Sequence, residues 1–263
     1  MWSVNISVSP CEDAARLGYD DRQTSRVVIR MAQYFLNHDM RVIFGHDWRE
    51  DGVMRAVADF AGTVAARAEQ DDAFSVEARM LNIVPSPGAS LSNAAMEAQR
   101  DSGGVLKVIP FSDLARHVAG QLDIGHPASD AGAQELRKWE LTVLRHWMTD
   151  LLAPGCRVCL GGRLKSYEGE EPGVMQEARL ALARHKPLYL MCGFGGAARA
   201  FGTEVDSRIR YEAAWNGLND EDKSDLFTTT DIEHAIRLIW RGIRQYQERE
   251  ANQNLHGAKG LLH

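Results

Sequence analysis

Three glycine-bearing turns hold the residues of this chain best suited to chemistry on a phosphate-bearing ligand. The first, Gly161-Gly162-Arg163, directly follows the apolar run Cys156–Leu160. Glycine lets the backbone come close to a bound group, and arginine offers a two-pronged fork to phosphate. In its plainest role Arg163 would instead pair with an acid of the nearby Glu168-Gly169-Glu170-Glu171 stretch. The second turn, Pro172-Gly173, opens a helical pattern, and Glu177 follows four residues after Gly173 on the same side. A carboxylate there accepts ribose hydroxyls or acts as general acid or base, or simply complements the helix dipole. The third, Gly193-Phe194-Gly195-Gly196, brings further N–H donors to the start of another helix.

A fourth turn, Gly45 to Gly52, is rich in glycine and charge. Gly45, Asp47 and Arg49 there, with the backbone N–H groups of the following helix, form an anion-receiving candidate, and the alternative is a solvated turn. Other chemistries lack their signatures. There is no GxxxxGK[ST] phosphate loop, no GxGxxG dinucleotide fingerprint and no GxSxG nucleophile elbow. Cys156-x-x-Cys159 lies within a strand pattern, so its thiols should face opposite ways and hold no metal. No metal and no cofactor are expected. Nucleotide binding, with or without cleavage of an N-glycosidic bond, fits these turns best.

The elements that must position these turns alternate between two periods. Trp2–Ser9 alternates apolar and polar residues as a strand does, and Pro10 breaks it. Helical spacing covers Gln23–Asn37, followed by the β-prone run Arg41–Phe44 and a helix over Val53–Ala68. Arg79–Val84 reads as a third strand, Ala89–Gln99 as a helix, and Val105–Phe111 as a strand that Pro110 confines to an edge or ends. Leu114–Ala131 carries no readable pattern. Ala133–Leu152 is a long amphipathic helix with Leu136, Trp139, Val143, Leu144, Trp147 and Leu151 on one stripe.

Cys156–Leu160 and Pro187–Met191 bracket a helical segment, which is the grammar of a β-α-β unit. Both strands then point the same way, so their glycine turns meet at one sheet edge. The stretch after Ala198 reads as polar and irregular, and Thr230–Glu248 as a closing helix, with a frayed tail beyond Glu250. The fold expected is α/β, a single Rossmann-like domain with a mostly parallel sheet of five or six strands flanked by helices.

At 263 residues the chain is long enough to bury a substantial core without staples. Its formal net charge of −6 argues against bulk electrostatic attraction to nucleic acid or to an anionic membrane surface. No apolar run reaches membrane-spanning length and the first residues carry no signal-type pattern, so a cytoplasmic location is expected.

The combined pattern resembles a known family. GGR, then Pro172-Gly173 with Glu177 four residues on, then KPLYL and the Gly193–Gly196 turn, are similar to the SLOG superfamily. That superfamily unites the Lonely Guy nucleotide phosphoribohydrolases, the DNA-processing protein DprA and nucleotide-sensing domains associated with bacterial TIR proteins. SVSPCEDAARLG resembles the family's opening strand and loop, and VIFGHDWREDG resembles its second glycine turn. The chain departs from the pattern at His46, Trp48 and Cys192, and its Pro172–Glu177 segment lacks the glycine-threonine pair of the phosphoribohydrolases.

The resemblance implies a SLOG-like Rossmannoid domain over residues 1–250 with a flexible tail over 251–263. It implies a pocket lined by Gly161, Gly162, Arg163, Gly173 and Glu177, with Ser9, Gly45, Asp47 and Arg49 on the other wall. Gly193, Gly195 and Gly196 would close it. It further implies homo-oligomerisation, for which the apolar face of the Ala133–Leu152 helix is a candidate. Three readings follow: a sensor of a nucleotide or NAD-derived molecule in bacterial signalling or defence; a nucleotide N-glycosidase using Glu177 and Arg163; or an interaction module with a vestigial pocket. The missing glycine-threonine pair favours binding over hydrolysis.

Overall fold

Six short runs rich in apolar residues become strands, and every one of them runs the same way. In the computed structural model, which describes residues 1–45, 48, 53–68, 79–85, 89–111, 127–128, 131–150 and 154–260, the strands are β1 (Ser3–Ser9), β2 (Arg41–Gly45), β3 (Met80–Val84), β4 (Leu106–Pro110), β5 (Gly155–Gly161) and β6 (Leu188–Met191). They form one parallel sheet in the order β4-β3-β2-β1-β5-β6. The chain winds outward from β1 to β4, returns to the other side of β1 and winds outward again. Order therefore reverses at β1 and β5, and the crevice beyond their carboxyl ends is where open α/β sheets bind ligands.

Among the described residues the helices are α1 (Glu12–Arg16), α2 (Asp21–Leu36), α3 (Val53–Ala68), α4 (Ala89–Asp101), α5 (Ala133–Asp150), α6 (Gly173–Ala183), α7 (Gly196–Thr203), α8 (Val205–Ala213), α9 (Asp220–Thr228) and α10 (Ile232–Gly260). Helix α2 starts ahead of the expected Gln23 because Asp20 caps it, accepting from the Gln23 N–H at 2.8 Å. The edge position of β4 agrees with Pro110, which has no N–H to donate. Among the described residues no helix is long and apolar enough to cross a membrane.

Strand β1 is central and buried on both faces. Val4 and Ile6 pack into the core that α2 and α10 cover, with Val27, Met31, Phe35, Ile236 and Ile239. The alternate residues Ser3, Asn5 and Ser7 are buried as well. Their neighbours across β5 in register are Gly155, Arg157 and Cys159. The alternation of β1 thus separates an apolar layer from a buried polar one, where alternation alone implies a solvated face.

Three stretches differ from expectation. The irregular region after Ala198 holds α7, α8 and α9, with Tyr211 buried and Trp215 partly exposed. Helix α9 is announced by Asn219, whose side chain caps it by accepting from Asp222 N–H. Helix α10 runs on to Gly260, through most of the stretch read as a tail. The middle of the α5 stripe is internal: Val143, Leu144, Trp147 and Met148 pack on Ile43, Leu81 and Ile83 of β2 and β3, while Leu136 is 40% exposed and Leu151 lies outside the described residues. Most of Leu114–Ala131 lies outside the described residues.

The two glycine turns of the β5-α6-β6 unit meet as their parallel strands require. Gly162 accepts from the Ala197 N–H at 2.9 Å and donates to the Ser9 carbonyl at 2.8 Å. Its φ of +98° is a left-handed conformation, and an added Cβ would stand 2.8 Å from Ala197 Cβ and 2.9 Å from Val174 Cγ2. Gly162→Ala is therefore expected to cost about 1–3 kcal/mol of stability, read as a lower urea midpoint; an unchanged midpoint would show that the turn relaxes freely.

Candidate functional site

The carboxyl ends of β1, β2 and β5 open into a cleft between the starts of α3 and α6 and the side of α5. Ser7 and Ser9 from β1, Gly45 from β2, Arg163 and Tyr167 from the loop after β5, Arg145 from α5, and Gly173 and Glu177 from α6 line it. Its cavity volume is about 160 Å³, and about 980 Å³ of empty space when the solvent-open mouth is included. The enclosed part suits a phosphate and sugar, and the mouth has room for the rest of a nucleotide.

The floor is a buried ionic cluster. Arg157 enters from the middle of β5 and is 1% exposed. Its Nη1 donates to Glu177 Oε2 at 2.5 Å and to Ser7 Oγ at 2.8 Å, and its Nη2 donates to Thr149 Oγ1 at 3.0 Å. The Ser7 hydroxyl also donates to Glu177 Oε2. On the cleft side Arg145 Nε lies 3.7 Å from Glu177 Oε1, and Arg145 Nη1 donates to Gln176 Oε1 at 2.6 Å. Gln176 in turn donates to Thr142 at 3.4 Å. Two guanidinium groups thus share one carboxylate whose side chain is only 12% exposed.

Glu177 is the carboxylate in contact with both guanidinium groups, and Glu171 and Glu168 act on Arg145 from farther away. Burial lowers the pKa of Arg145 and the Glu177 carboxylate opposes the shift, but a guanidinium remains charged at any physiological pH. The guanidinium is also held in place by the absence of side chains. A Cβ at Gly173 would stand 2.7 Å from Arg145 Nη2, and one at Gly169 would stand 2.7 Å from Nη1. Helix α6 adds donors: no side chain caps its first turn, where Gly173 and Val174 line the cleft.

The expected site residues divide into groups. Ser9, Gly45, Arg163, Gly173 and Glu177 come together around the cleft, and Ser9 Oγ accepts from the Arg163 N–H at 3.3 Å. Gly161 and Gly162 shape the turn beneath Arg163, both with left-handed φ. Gly193 faces the carbonyls of Thr228 and Thr229 at the end of α9. Gly195 packs on Asp13, whose carboxylate accepts from the Gly196 N–H at 3.1 Å. The donor that the third turn offers is therefore met by this protein's own acid. Gly196 lines an adjoining hollow that shares Arg163 with the cleft. Asp47 and Arg49 lie outside the described residues.

Arg145 and Arg157 are functional candidates that sequence reading passes over. Their signal is a charge in the wrong place: Arg145 sits among the buried residues of the α5 stripe, and Arg157 interrupts a strand buried along its whole length. Such charges need partners. The two strand cysteines turn opposite ways as their spacing predicts: Cys156 packs with the β1 core and Cys159 with α6 and α7. Burial pushes the Cys159 thiol up to about 12, and it raises the other strand thiol as well.

A family model described as SLOG cluster2 matches residues 2–247. A search of curated proteins returns no match.

Proposed function

The chain belongs to the SLOG family, whose domains are Rossmann-like and nucleotide-related, and from that premise we propose that the cleft binds a phosphate-bearing nucleotide or NAD-derived molecule and that the protein works as a ligand sensor. The observation that carries this reading is the Arg145–Glu177–Arg157 floor, in which two guanidinium groups contact one carboxylate at the point where strand order reverses. A phosphate set against Arg145 and the first turn of α6 would meet a guanidinium and the N–H donors of a helix start. Arg163 stands on the rim for a second phosphate or a carboxylate, and Tyr167, 41% exposed, offers a ring to a base.

Sensing is favoured over cleavage by the Pro172–Glu177 segment, which lacks the glycine-threonine pair of the phosphoribohydrolases it resembles. Glu177 is tied into the floor through Oε2, which accepts from Ser7 and Arg157. Its Oε1 lies 3.7 Å from Arg145 Nε and is the atom that a hydrolase would use as base.

Calorimetry of the full chain against AMP, ADP, ADP-ribose, NAD and the matching nucleosides tests the proposal. Phosphate-bearing ligands should bind, with affinity falling as salt rises, and nucleosides should not. Equal affinity for nucleosides, or no binding at all, would overturn it, the latter in favour of an interaction module. Release of free base from any bound nucleotide would replace the sensor with a hydrolase.

A further inference from the structure

Arg157 supports the cleft from beneath, through Ser7 and Glu177, with only part of its guanidinium. Its Nη1 and Nη2 are bonded to Glu177, Ser7 and Thr149, but its Nε has no hydrogen-bond partner among the described residues. The same is true of Oδ1 of Asn5, its neighbour in register on β1. Both residues are buried, at 1% and 6% exposure. Both also line one small cavity on the amino-terminal side of the cluster, walled in part by Thr149, Ala181 and Lys186.

An orphaned donor and an orphaned acceptor at one cavity restrict its occupant. The cavity volume is about 10 Å³, about the space of one water. An anion would suit the Nε–H and meet repulsion from Asn5 Oδ1. A cation would suit Oδ1 and meet both the Arg157 guanidinium and Lys186. Water alone accepts from one and donates to the other.

We infer that an ordered water bridges Arg157 Nε and Asn5 Oδ1, and that through it Asn5 is a positioning residue for the ionic floor of the cleft. A guanidinium is planar, so fixing Nε on one side fixes the direction of Nη1 on the other. The water holds the plane from the amino-terminal side while Ser7 and Glu177 hold it from the cleft. Asn5 thereby acts on Glu177 without touching it. The inference does not depend on which ligand the cleft takes.

A high-resolution crystal structure of the full chain, with NMR of its arginine Nε–H groups, tests this. The expected results are density for a water within hydrogen-bonding distance of both atoms and a magnetisation-transfer peak between the Arg157 Nε–H and a long-lived water. Asn5→Leu, which fills the space and offers no acceptor, should abolish the peak and shift the Arg157 Nε resonance. Wild-type protein with no water between the two atoms would overturn the site. A folded Asn5→Leu variant with an unshifted Arg157 resonance would overturn the positioning role. Should that variant fail to fold, Asn5→Ala, which removes the acceptor without filling the space, is read for the same shift, and an unshifted Arg157 resonance there overturns the positioning role.

Discussion

Arg145→Met is expected to weaken binding of a phosphate-bearing nucleotide by about 10–100-fold, the worth of one charge-assisted hydrogen bond, while changing stability by less than about 2 kcal/mol. The asymmetry follows from the charge count of the floor. Removing Arg145 leaves Arg157 and Glu177 as a neutral pair that keeps its short contact and its Ser7 and Thr149 partners. Methionine fills much of the vacated volume, and Gln176 retains its bond to Thr142. What disappears is the guanidinium that lines the cleft beside Gly173. Calorimetry beside urea denaturation reads both quantities, and unchanged affinity would move the anion site away from α5.

Glu177→Gln should do the reverse and lower stability by about 3–5 kcal/mol, the usual cost of stripping a buried pair of one partner. Two guanidinium groups would remain buried with no carboxylate in contact, hydrogen-bonded to Ser7, Thr149 and Gln176. The effect appears as a large drop in the urea midpoint. A midpoint equal to that of wild type would mean that the ion cluster contributes nothing in solution. Combining Glu177→Gln with Arg145→Met should recover part of the loss, because the two sites share one network and their effects do not add. The glutamate that looks most catalytic by sequence is thus a poor test of catalysis. Loss of any turnover in Glu177→Gln would report a damaged floor before it reported a missing base.

The strands and the cleft's position were legible because they rest on local rules. Apolar runs ended by glycine mark β5 and β6, and parallel pairing then brings their turns together at one edge. The floor was not legible, because it is made by residues whose local pattern points elsewhere. Ser3, Asn5 and Ser7 alternate with valines and isoleucine as a solvated face would, yet α5 and α6 bury them. Arg157 lies in a run whose apolar neighbours dominate its reading, and Arg145 rides a stripe identified by its tryptophans and leucines. Only the meeting of β1, β5, α5 and α6 shows that the two arginines share Glu177. The helices after Ala198 were missed for another reason: α8 and α9 are short, polar and weakly periodic, and their cores are supplied by single residues such as Tyr211 and Leu226.

The central place of β1 also bears on how the chain is made. Of the six strands β1 is made first, and it pairs on one side with β2, close behind it, but on the other with β5, where Ser3 meets Gly155 and Ser9 meets Gly161. Until β5 is synthesised, one edge of β1 stays unpaired, with a polar seam whose partners do not yet exist. Parallel pairing across so long a loop is slow, and open strand edges invite association with other chains. Nascent chains that stop short of Gly161 therefore expose the edge most prone to aggregate, and the β1–β5 seam beneath the cleft is also the late step that completes the sheet's centre.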